Sequence, residues 1–303
     1  MIVLSTLSNY KVWGTDRLHS YSGDENIDKI GSVYSVSGIE GLSNKIISGD
    51  ANDDLYSAVK ANPKKFGLPE EVDYPIIVSF TAGDSDLSIQ VHPTDPFARE
   101  NENKLIGKSE AWYFIEKPNK SWIYAESKIK DKQEIKDKIL NGKFEDVVGN
   151  VEVKEGDIAF IEAGTIHALT EGSLVYEIQQ STDITYRFYD YDRIDKDGNK
   201  RELHLDKALG TIVYENKVDV QEFGLDKTYK YKPFNLLRCK LENTYKNDKD
   251  VAVAITVIKG NLQVDGFAIN QGMSILVLPE EEIKIEKPCE EVIIATPNLY
   301  FCK

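Results

Sequence analysis

Two of the four histidines in this chain lie in short, strand-like segments that are far apart in the sequence. The first segment, residues 87–93, contains His92, and the second, residues 156–167, ends at His167. A carboxylate, Glu110, follows the first segment at the start of an aromatic run. Imidazole and carboxylate groups are common ligands of transition metals. The two segments therefore look like the two halves of one metal site, and the chain must fold so that they meet.

The first segment has the alternation of a half-buried strand. Its side chains are expected on two faces, with Leu87, Ile89 and Val91 on one and Ser88, Gln90 and His92 on the other. Gln90 and His92 then share a face, about 7 Å apart at roughly 3.3 Å per residue. Thr94 or Asp95 is expected to cap a helix over about residues 96–105. Glu110, at the start of the following strand, can face back toward His92.

Composition narrows the class of protein. Short runs of β-branched and aromatic residues are separated by Gly, Asn, Asp and Lys, which is typical of a mainly β fold. The net charge of -14 argues against nucleic acid or an anionic membrane surface as a partner. The start lacks the pattern of a signal peptide, and no segment is apolar enough to span a bilayer. Three cysteines without a Cys-x-x-Cys pair suggest a reduced, cytoplasmic protein.

Helices are predicted at a few places among the strands. The pattern indicates helices over about residues 52–64, 131–140 and 204–210. The acidic stretch 192–199 is a polar turn, because no bidentate Glu closes it as in a calcium loop. From about residue 211 short strands recur with turn signals, including a predicted hairpin over residues 251–264, and suggest a second jelly roll.

The second segment resembles the metal-binding signature of the cupin family, with Gly156, Gly164 and His167 in register and Glu162 in place of the usual proline. The first segment resembles the other cupin signature, with Gln90 in place of its first histidine. Together with the intervening helix, this set resembles the type I mannose-6-phosphate isomerases (phosphomannose isomerases) in their short bacterial form. Further matching motifs run through the first two thirds of the chain: Trp13-Gly14, Gln179-Gln180-Ser181-Thr182-Asp183, Tyr186-Arg187, Tyr189-Asp190 and Arg201-Glu202-Leu203-His204.

The chain departs from the family pattern in three places. Thr15 follows Trp13-Gly14 where a second glycine is usual, residues 31–34 read Gly-Ser-Val-Tyr rather than Gly-Glu-x-Trp, and Glu162 replaces proline. None of these positions belongs to the expected metal set. The resemblance implies two cupin-type jelly rolls with a few helices inserted in the N-terminal part. The expected domains are a catalytic, metal-binding domain over residues 1–210 and a degenerate cupin-like jelly roll over residues 211–303.

The resemblance also implies the site and its chemistry. Its metal ligands would be Gln90, His92, Glu110 and His167, holding one Zn²⁺ per chain, although other divalent transition metals suit two nitrogen and two oxygen donors equally well. The reaction implied is interconversion of mannose 6-phosphate and fructose 6-phosphate through a cis-enediol. Lys108, Asp183 and Arg187 are the expected catalytic residues: Lys108 for substrate oxygens, Asp183 for proton transfer, and Arg187 for phosphate or oxyanion.

Alternatives remain open from the residues alone. The same ligands could serve an iron-dependent cupin oxygenase, or a non-catalytic sugar-binding cupin that kept the metal. Arg187 could instead be a structural ion-pair partner of Asp183 or Asp190. The expected partner is a small phosphosugar rather than nucleic acid or membrane, and the chain is expected to be a monomer or a homodimer.

Overall fold

The computed structural model describes residues 1–48, 54–194 and 198–302, and the predicted mainly β fold is confirmed. Helices are few and short. In chain order the strands are β1 (Ile2–Val3), β2 (Leu7–Thr15), β3 (Ile30–Val36), β4 (Gly38–Ile39), β5 (Leu42–Ser43), β6 (Ile76–Ala82), β7 (Ile89–Val91), β8 (Glu110–Glu116), β9 (Trp122–Ser127), β10 (Val148–Glu152), β11 (Asp157–Ile161), β12 (His167–Ala168), β13 (Leu174–Gln180), β14 (Tyr186–Tyr189), β15 (Asp219–Glu222), β16 (Thr228–Lys230), β17 (Phe234–Cys239), β18 (Thr244–Lys246), β19 (Val253–Lys259), β20 (Asn261–Val264), β21 (Phe267–Asn270), β22 (Ser274–Val277), β23 (Glu282–Lys287) and β24 (Glu291–Pro297).

The α-helices are α1 (Leu55–Ala61), α2 (Asp95–Asn101), α3 (Lys132–Leu140) and α4 (Leu205–Thr211). Short 3₁₀ turns occur at Asp16–Tyr21, Pro63–Phe66, Phe144–Asp146 and Tyr300–Cys302. Within the part of the chain that the structure describes, no helix is both long and apolar enough to cross a membrane.

The helix predictions are correct in kind and differ at their ends. Asp131 caps α3, because its side chain accepts the N–H of Glu134. Thr94 caps α2 in the same way, and this helix ends at Asn101 rather than near residue 105. The helix expected over residues 52–64 begins at Leu55 and gives way to a 3₁₀ turn at Pro63, because proline has no N–H to continue the ladder. Its first two positions lie outside the described residues, as does the middle of the predicted polar turn, 195–197.

The chain forms two compact units that do not follow chain order. The terminal unit comprises Met1–Tyr10, Asp16–Phe80 and Phe223–Lys303, and the central unit comprises Lys11–Thr15 and Thr81–Glu222. The division into a catalytic domain over residues 1–210 and a degenerate jelly roll over residues 211–303 stays a prediction. In packing, the first 80 residues fall mostly into the same unit as the last 81.

The terminal unit contains a two-sheet sandwich. A six-stranded sheet has the order β1-β22-β19-β24-β17-β16, and a four-stranded sheet has the order β18-β23-β20-β21. Their facing side chains form one apolar core, which Val3 of β1 joins. The predicted hairpin of β19 and β20 is wrong, because the two strands belong to different sheets and Gly260, at φ 87°, turns the chain from one sheet to the other.

The central unit also places two sheets around a core. One is five-stranded in the order β10-β9-β12-β7-β14, and the other contributes neighbouring strands in the order β15-β11-β8-β13. An apolar cluster that includes Trp13, Trp112 and Leu169 lies on the inner side. A second cluster packs Ile89 and Val91 against α3 and α4. Since Ile89 and Val91 face the helices, strand alternation turns the side chain of Gln90 toward the other face, between the two sheets. Leu87, which was expected on the same face as Ile89 and Val91, precedes β7 and packs in the cluster between the sheets instead.

The sandwich of the terminal unit gives a direct stability prediction. Ile255 is fully buried in β19 and faces Ile275 and Ile294 in register on its two neighbours. Ile255→Ala should lower the free energy of unfolding by about 2–5 kcal/mol, because it removes buried methyl groups and leaves a cavity. Urea unfolding measures the change, and Leu140→Ala, at a helix position that is 64% exposed, is the control with little effect. Equal effects of the two substitutions would contradict this core.

Candidate active site

Strand register in the central unit brings the predicted site residues together. β7 lies between β12 and β14, so that Gln90 stands opposite His167 on one side and opposite Arg187 on the other. Glu110 is the first residue of β8, where it pairs in register with Gln179 of β13. Segments far apart in the sequence therefore meet because of sheet pairing.

His92, Glu110 and His167 converge on one position in the interior. The Nε2 atom of His92 lies 3.2 Å from Oε2 of Glu110, and Nε2 of His167 lies 3.2 Å from Oε1 of the same carboxylate. Their potential ligand atoms all lie within 4.8 Å of one another, and all three side chains are buried. This group can hold a metal ion.

The hydrogen bonds of the two imidazoles orient their ring nitrogens. The Nδ1 atom of His92 lies 2.8 Å from the carbonyl oxygen of Ile184, and Nδ1 of His167 lies 2.8 Å from that of Thr165. A carbonyl oxygen only accepts, so each Nδ1 donates a proton and each neutral ring carries its lone pair on Nε2. Histidines that bind metals typically use their second nitrogen in this way.

The atoms around the buried carboxylate of Glu110 show whether a metal ion would fit at this position. A lone pair on Nε2 of each histidine faces an oxygen of Glu110, and acceptors at 3.2 Å repel one another unless a cation lies among them. Neither oxygen of Glu110 makes a well-formed hydrogen bond within the described residues, although the Lys108 ammonium lies 3.1 Å from Oε2 at ion-pair distance. A divalent cation satisfies all of these acceptors together, so the donor set fits a metal.

The pKa shifts agree with this arrangement of charge. Burial, the Lys108 ammonium and the neighbouring His167 lower the pKa of His92 to about 4, against the opposing pull of Glu110, so that His92 is neutral near pH 7. Burial alone would raise the pKa of Glu110, but Lys108 and the two histidines outweigh it and hold that pKa well below its usual range. The site therefore presents one carboxylate anion and a neutral His92.

Gln90 borders the same position with its side-chain amide. The Nε2 atom of Gln90 lies 3.4 Å from Nε2 of His167, and the residue is half-buried. Rotation of the amide by half a turn exchanges its nitrogen for its oxygen without moving other atoms. The amide oxygen would then face the position that the two histidines and the carboxylate surround.

Lys108 is a buried cation at the edge of this group. Its Nζ atom lies 3.1 Å from both Nε2 of His92 and Oε2 of Glu110. Burial acts to lower the pKa of Lys108, but Glu110, Glu177 and Asp183 outweigh it, and the net pKa is raised. The ammonium therefore keeps its charge and its donors in the interior.

The Gln179–Asp183 motif holds the segment that carries Lys108 and Glu110. Ser109, between these two residues, donates its N–H to Oε1 of Gln180 at 2.8 Å and accepts the Gln180 N–H at 3.0 Å. The hydroxyl of Ser109 also accepts the N–H of Ala163 at 3.0 Å. The motif thus fixes the backbone on which both charged side chains stand.

Arg187 lies in β14 with its guanidinium outside any ion pair in the described part of the chain. Its Nε atom is buried and has no hydrogen-bond partner there. Asp190, which sequence alone left as an alternative partner, is instead bound by Arg193 at 2.8 Å and by Arg201. Asp183, the other alternative, is exposed in the loop before β14. Arg187 is therefore free to bind an external anion.

Glu177, a carboxylate in the fully buried strand β13, lies near the site and was not predicted from the sequence. Its Oε2 atom accepts a hydrogen bond from the Thr81 hydroxyl at 2.8 Å, and in register it faces Trp112, whose ring contacts that of His167. Burial and the charge of Glu110 raise the pKa of Glu177 to about 7. An acidic residue inside an otherwise apolar and amide-bearing strand was the signal that could have identified it.

Glu162 has no part in the site. It is exposed, and its carbonyl oxygen accepts the Thr165 N–H in the turn before His167. Gly164 in the same turn has φ 91°, and a side chain there would meet Val213 and the backbone of Thr211. The glycine of the signature is required by this turn, whereas the proline it usually contains is dispensable.

Comparisons with known proteins agree with the motifs. No family model matches the chain. The chain is 34% identical to the probable mannose-6-phosphate isomerase GmuF of Bacillus subtilis (strain 168) over 233 residues. This aligned region covers 74% of this chain and 73% of that protein. The chain is also 32% identical over 216 residues to the mannose-6-phosphate isomerase of Streptococcus mutans serotype c (strain ATCC 700610 / UA159), over 70% and 67% of the two chains. The chain belongs to the mannose-6-phosphate isomerase family.

Solved structures support the same family and fold. The mannose 6-phosphate isomerase from Bacillus subtilis superimposes with a TM-score of 0.83 at 25% identity, over 97% of this chain and 99% of that one. A putative mannosephosphate isomerase from Archaeoglobus fulgidus, at 16% identity and a TM-score of 0.75 over 98% of both chains, shares the fold. The predicted family, cupin-type fold and isomerase class are confirmed.

The geometry predicts that the chain binds about one divalent metal, and that His167 is needed to hold it. His167→Ala should lose most of the metal, because one of the buried donors disappears. Elemental analysis of purified protein measures the metal content. His19→Ala is the matched control, since His19 is a half-buried histidine bonded to the Ile27 carbonyl in the terminal unit and should leave the metal in place. Equal metal content in both variants would remove His167 from the metal centre.

Proposed function

We propose that this chain interconverts mannose 6-phosphate and fructose 6-phosphate through a cis-enediol. The observation that carries the proposal is the buried group of His92, Glu110 and His167 with the Lys108 ammonium against it, in a member of this family. Arg187, on the strand next to Gln90, adds a guanidinium that forms no ion pair in the described chain. An aldose–ketose isomerisation needs a proton carrier between C2 and C1, stabilisation of negative charge on the sugar oxygens, and a grip on the phosphate. The residues around this group supply each of these.

We propose zinc as the metal, held by His92, Glu110, His167 and the amide oxygen of Gln90. Two nitrogen and two oxygen donors suit Zn²⁺, and Fe²⁺, Mn²⁺, Co²⁺ and Ni²⁺ are the competing ions. When bound, such an ion acts as a Lewis acid toward the sugar oxygens and offsets negative charge that develops there. With one anionic protein ligand, the centre retains a net positive charge of about one.

Lys108 is proposed to stabilise the enediolate. Its ammonium is buried and stays protonated because the neighbouring carboxylates raise its pKa. A buried donor that needs no reorganisation gains more from a developing oxyanion than the same donor would in water. The nearby His92 donates its Nδ1 proton to the Ile184 carbonyl and has a lone pair on Nε2, so Lys108 is the donor of this pair toward the substrate.

Asp183 is proposed to carry the proton between C2 and C1. It is exposed in the loop that enters β14, four residues before Arg187, and its charge acts on Lys108 and Arg187. An exposed carboxylate can reach a bound sugar without losing a partner. Glu177 is the second candidate, because a pKa near 7 suits a group that must both accept and return a proton.

Arg187 is proposed to bind the phosphate or the oxyanion of the substrate. Its guanidinium is partly buried and unpaired, and a planar fork of donors matches phosphate oxygens. The protein carries a net charge of -14, so an anionic substrate needs local cations to bind at all.

The proposed setting is the cytoplasm, where a small phosphosugar is the partner and the chain acts as a monomer or homodimer. Three free cysteines, Cys239, Cys289 and Cys302, support a reducing compartment.

The reaction itself predicts a specific isotope pattern. Mannose 6-phosphate incubated with metal-replete protein in heavy water should give fructose 6-phosphate that carries deuterium at C1, because the proton carrier exchanges with solvent. Proton NMR of the product measures both conversion and labelling. Oxygen consumption is the control that should stay at zero, since the reaction changes no oxidation state overall. Absence of ketose, or conversion only with oxygen uptake, would refute the proposal.

A conservative substitution separates binding from folding at Arg187. Arg187→Lys keeps the charge but loses the fork, so kcat/KM should fall about ten- to a hundred-fold, the effect of one lost charged hydrogen bond. Melting temperature and metal content should not change. Arg238→Lys is the matched control, because Arg238 binds Glu291 through two hydrogen bonds of 2.8 Å in the terminal unit. That control should lower the melting temperature and keep normal kinetics. The reverse pattern at Arg187 would make it a structural residue.

A further inference from the structure

His204 is the last residue of the Arg201-Glu202-Leu203-His204 motif, and none of the roles above uses it. It is half-buried and stands directly before α4 as the N-cap residue, where its carbonyl oxygen accepts the N–H of Ala208 at 2.9 Å. The side chain of an N-cap residue usually accepts a free N–H of the helix. The imidazole of His204 makes no such bond to the described residues of α4, and is bonded to strand β14 instead.

His204 binds both backbone groups of Arg187. The Arg187 carbonyl oxygen accepts the His204 N–H at 2.9 Å, and the Arg187 N–H donates to Nδ1 of His204 at 3.3 Å. β14 is the last strand of the five-stranded sheet, with β7 on its one paired side. Backbone groups that point outward from such an edge strand need a partner other than a neighbouring strand. At Arg187, His204 is that partner.

These two bonds matter because pairing with β7 holds Arg187 on one side only. Arg187 stands opposite Gln90, and the register shifts directly after it, which disrupts the ladder locally. The Nε atom of Arg187 is buried without a hydrogen-bond partner in the part of the chain that the structure describes. The position of the guanidinium therefore depends on a backbone that is held between Gln90 and His204.

The bond to Nδ1 exists only while the ring of His204 is neutral. A ring nitrogen that accepts a hydrogen bond carries a lone pair, so the proton of the neutral ring is on Nε2. His92 and His167 have the opposite tautomer, because their Nδ1 atoms donate to carbonyl oxygens. Protonation of His204 would put an N–H on Nδ1 against the N–H of Arg187, and this bond would be lost.

The charged and titratable groups around the ring of His204 come from its own segment, β14, α4 and the end of α2. Its Nε2 atom lies 3.8 Å from Oε2 of Glu202, whose side chain is 83% exposed. The ring of Tyr186 lies 6.2 Å from that of His204, and its hydroxyl donates to Glu102 at 2.6 Å. Glu102 is also bound by Lys207 at 2.7 Å. One carboxylate is thus engaged by other groups and the other is screened by water.

The balance of these charges keeps the ring of His204 neutral near pH 7. Burial lowers the pKa of His204 most, and Arg187 and Lys207 lower it further. Glu202 and Glu102 act in the opposite direction, but the net pKa lies below its usual value of 6.5. Nδ1 is therefore an acceptor at neutral pH, and this acceptor is lost when the pH falls through the lowered pKa.

We propose that His204 is a positioning residue for Arg187, which it holds by its backbone N–H and by its unprotonated Nδ1. The inference rests on the proposed function, in which Arg187 binds the phosphate or the oxyanion of the substrate. His204 acts through Arg187 and takes no part in moving protons on the sugar. Binding by Arg187 should therefore weaken when His204 takes up a proton.

Two substitutions separate the acceptor of His204 from its ring. Oδ1 of Asn and Nδ1 of His are both bonded to Cγ, so His204→Asn keeps an acceptor that does not titrate, whereas His204→Ala removes it. At about pH 8, His204→Ala should lower kcat/KM for mannose 6-phosphate about three- to tenfold, the effect of one lost neutral hydrogen bond. His204→Asn should lower it less than about twofold. Equal losses in the two variants would overturn the inference.

The pH profile is the measurement that a purely structural role would not change. The kcat/KM of His204→Asn divided by that of the unaltered protein should rise from about one to about three- to tenfold as the pH falls from about 8 to about 5. The substrate phosphate and the other groups titrate in both proteins, so they cancel in this ratio. His19→Asn is the matched control, since His19 bonds the Ile27 carbonyl in the terminal unit and its ratio should stay near one. A flat ratio for His204→Asn would contradict the proposed role.

A double-mutant cycle tests whether His204 acts through Arg187. In a protein that already carries Arg187→Lys, the further substitution His204→Ala should lower kcat/KM less than about twofold, because the fork that His204 positions is gone. The same loss in both backgrounds would show that His204 acts independently of Arg187, against the inference.

NMR of the unaltered protein requires neither a variant nor turnover. Ring-nitrogen signals should show the His204 proton on Nε2 at about pH 8, and the amide signal of Arg187 should shift with the same midpoint as the His204 ring. A proton on Nδ1 of His204, or an Arg187 amide that does not follow the titration, would overturn the inference. Failure of the proposed function is a separate result, in which the unaltered protein forms no ketose while these NMR signals are as expected.

Discussion

A single buried carboxylate is the constraint on which the candidate site depends. Glu110 is fully buried, and a carboxylate in that environment is unfavourable by several kcal/mol unless charge of the opposite sign surrounds it. Lys108 supplies one cation at 3.1 Å, and the Nε2 atoms of His92 and His167 each lie 3.2 Å from an oxygen of the same carboxylate, where a metal ion would bind all three groups together. A buried carboxylate that would destabilise an apolar core is thus stabilised when a metal ion binds. The sheets on either side hold the donors in place.

The site has two chemically different ends, and this division suits a phosphorylated sugar. Around Glu110 the groups are buried and fixed, with the ring nitrogens of both histidines anchored to backbone carbonyls. In β14 the guanidinium of Arg187 forms no ion pair in the described chain, and the exposed carboxylate of Asp183 lies in the loop before that strand. The fixed end is suited to stabilising charge on sugar oxygens, and the cationic end is suited to holding phosphate in an otherwise acidic protein.

Local features followed from the residues themselves, and the meeting of His92, Glu110 and His167 was expected from the family resemblance, whereas the remaining long-range packing was not predictable. Alternation placed Gln90 on the face opposite Ile89 and Val91, and Thr94 was one of the two caps expected for α2, because these features depend on neighbours within a few residues. The division of the terminal sandwich was not predictable, since Val3 joins a core made mostly of residues beyond 236, and β19 pairs away from the strand that follows it. Glu177 was missed for the same reason: a single charged residue in a strand has no motif, and only packing shows that it is buried beside Trp112.

The central claim is that a metal ion binds among His92, Glu110 and His167. A crystal structure of the purified protein with anomalous diffraction data collected at the absorption edge of the bound metal measures this. The account predicts an anomalous peak at about 2.0–2.2 Å from Nε2 of both histidines and an oxygen of Glu110, with the amide of Gln90 turned so that its oxygen faces the ion. Electron density without an anomalous peak there, with Glu110 neutralised by Lys108 and the histidines alone, would contradict it.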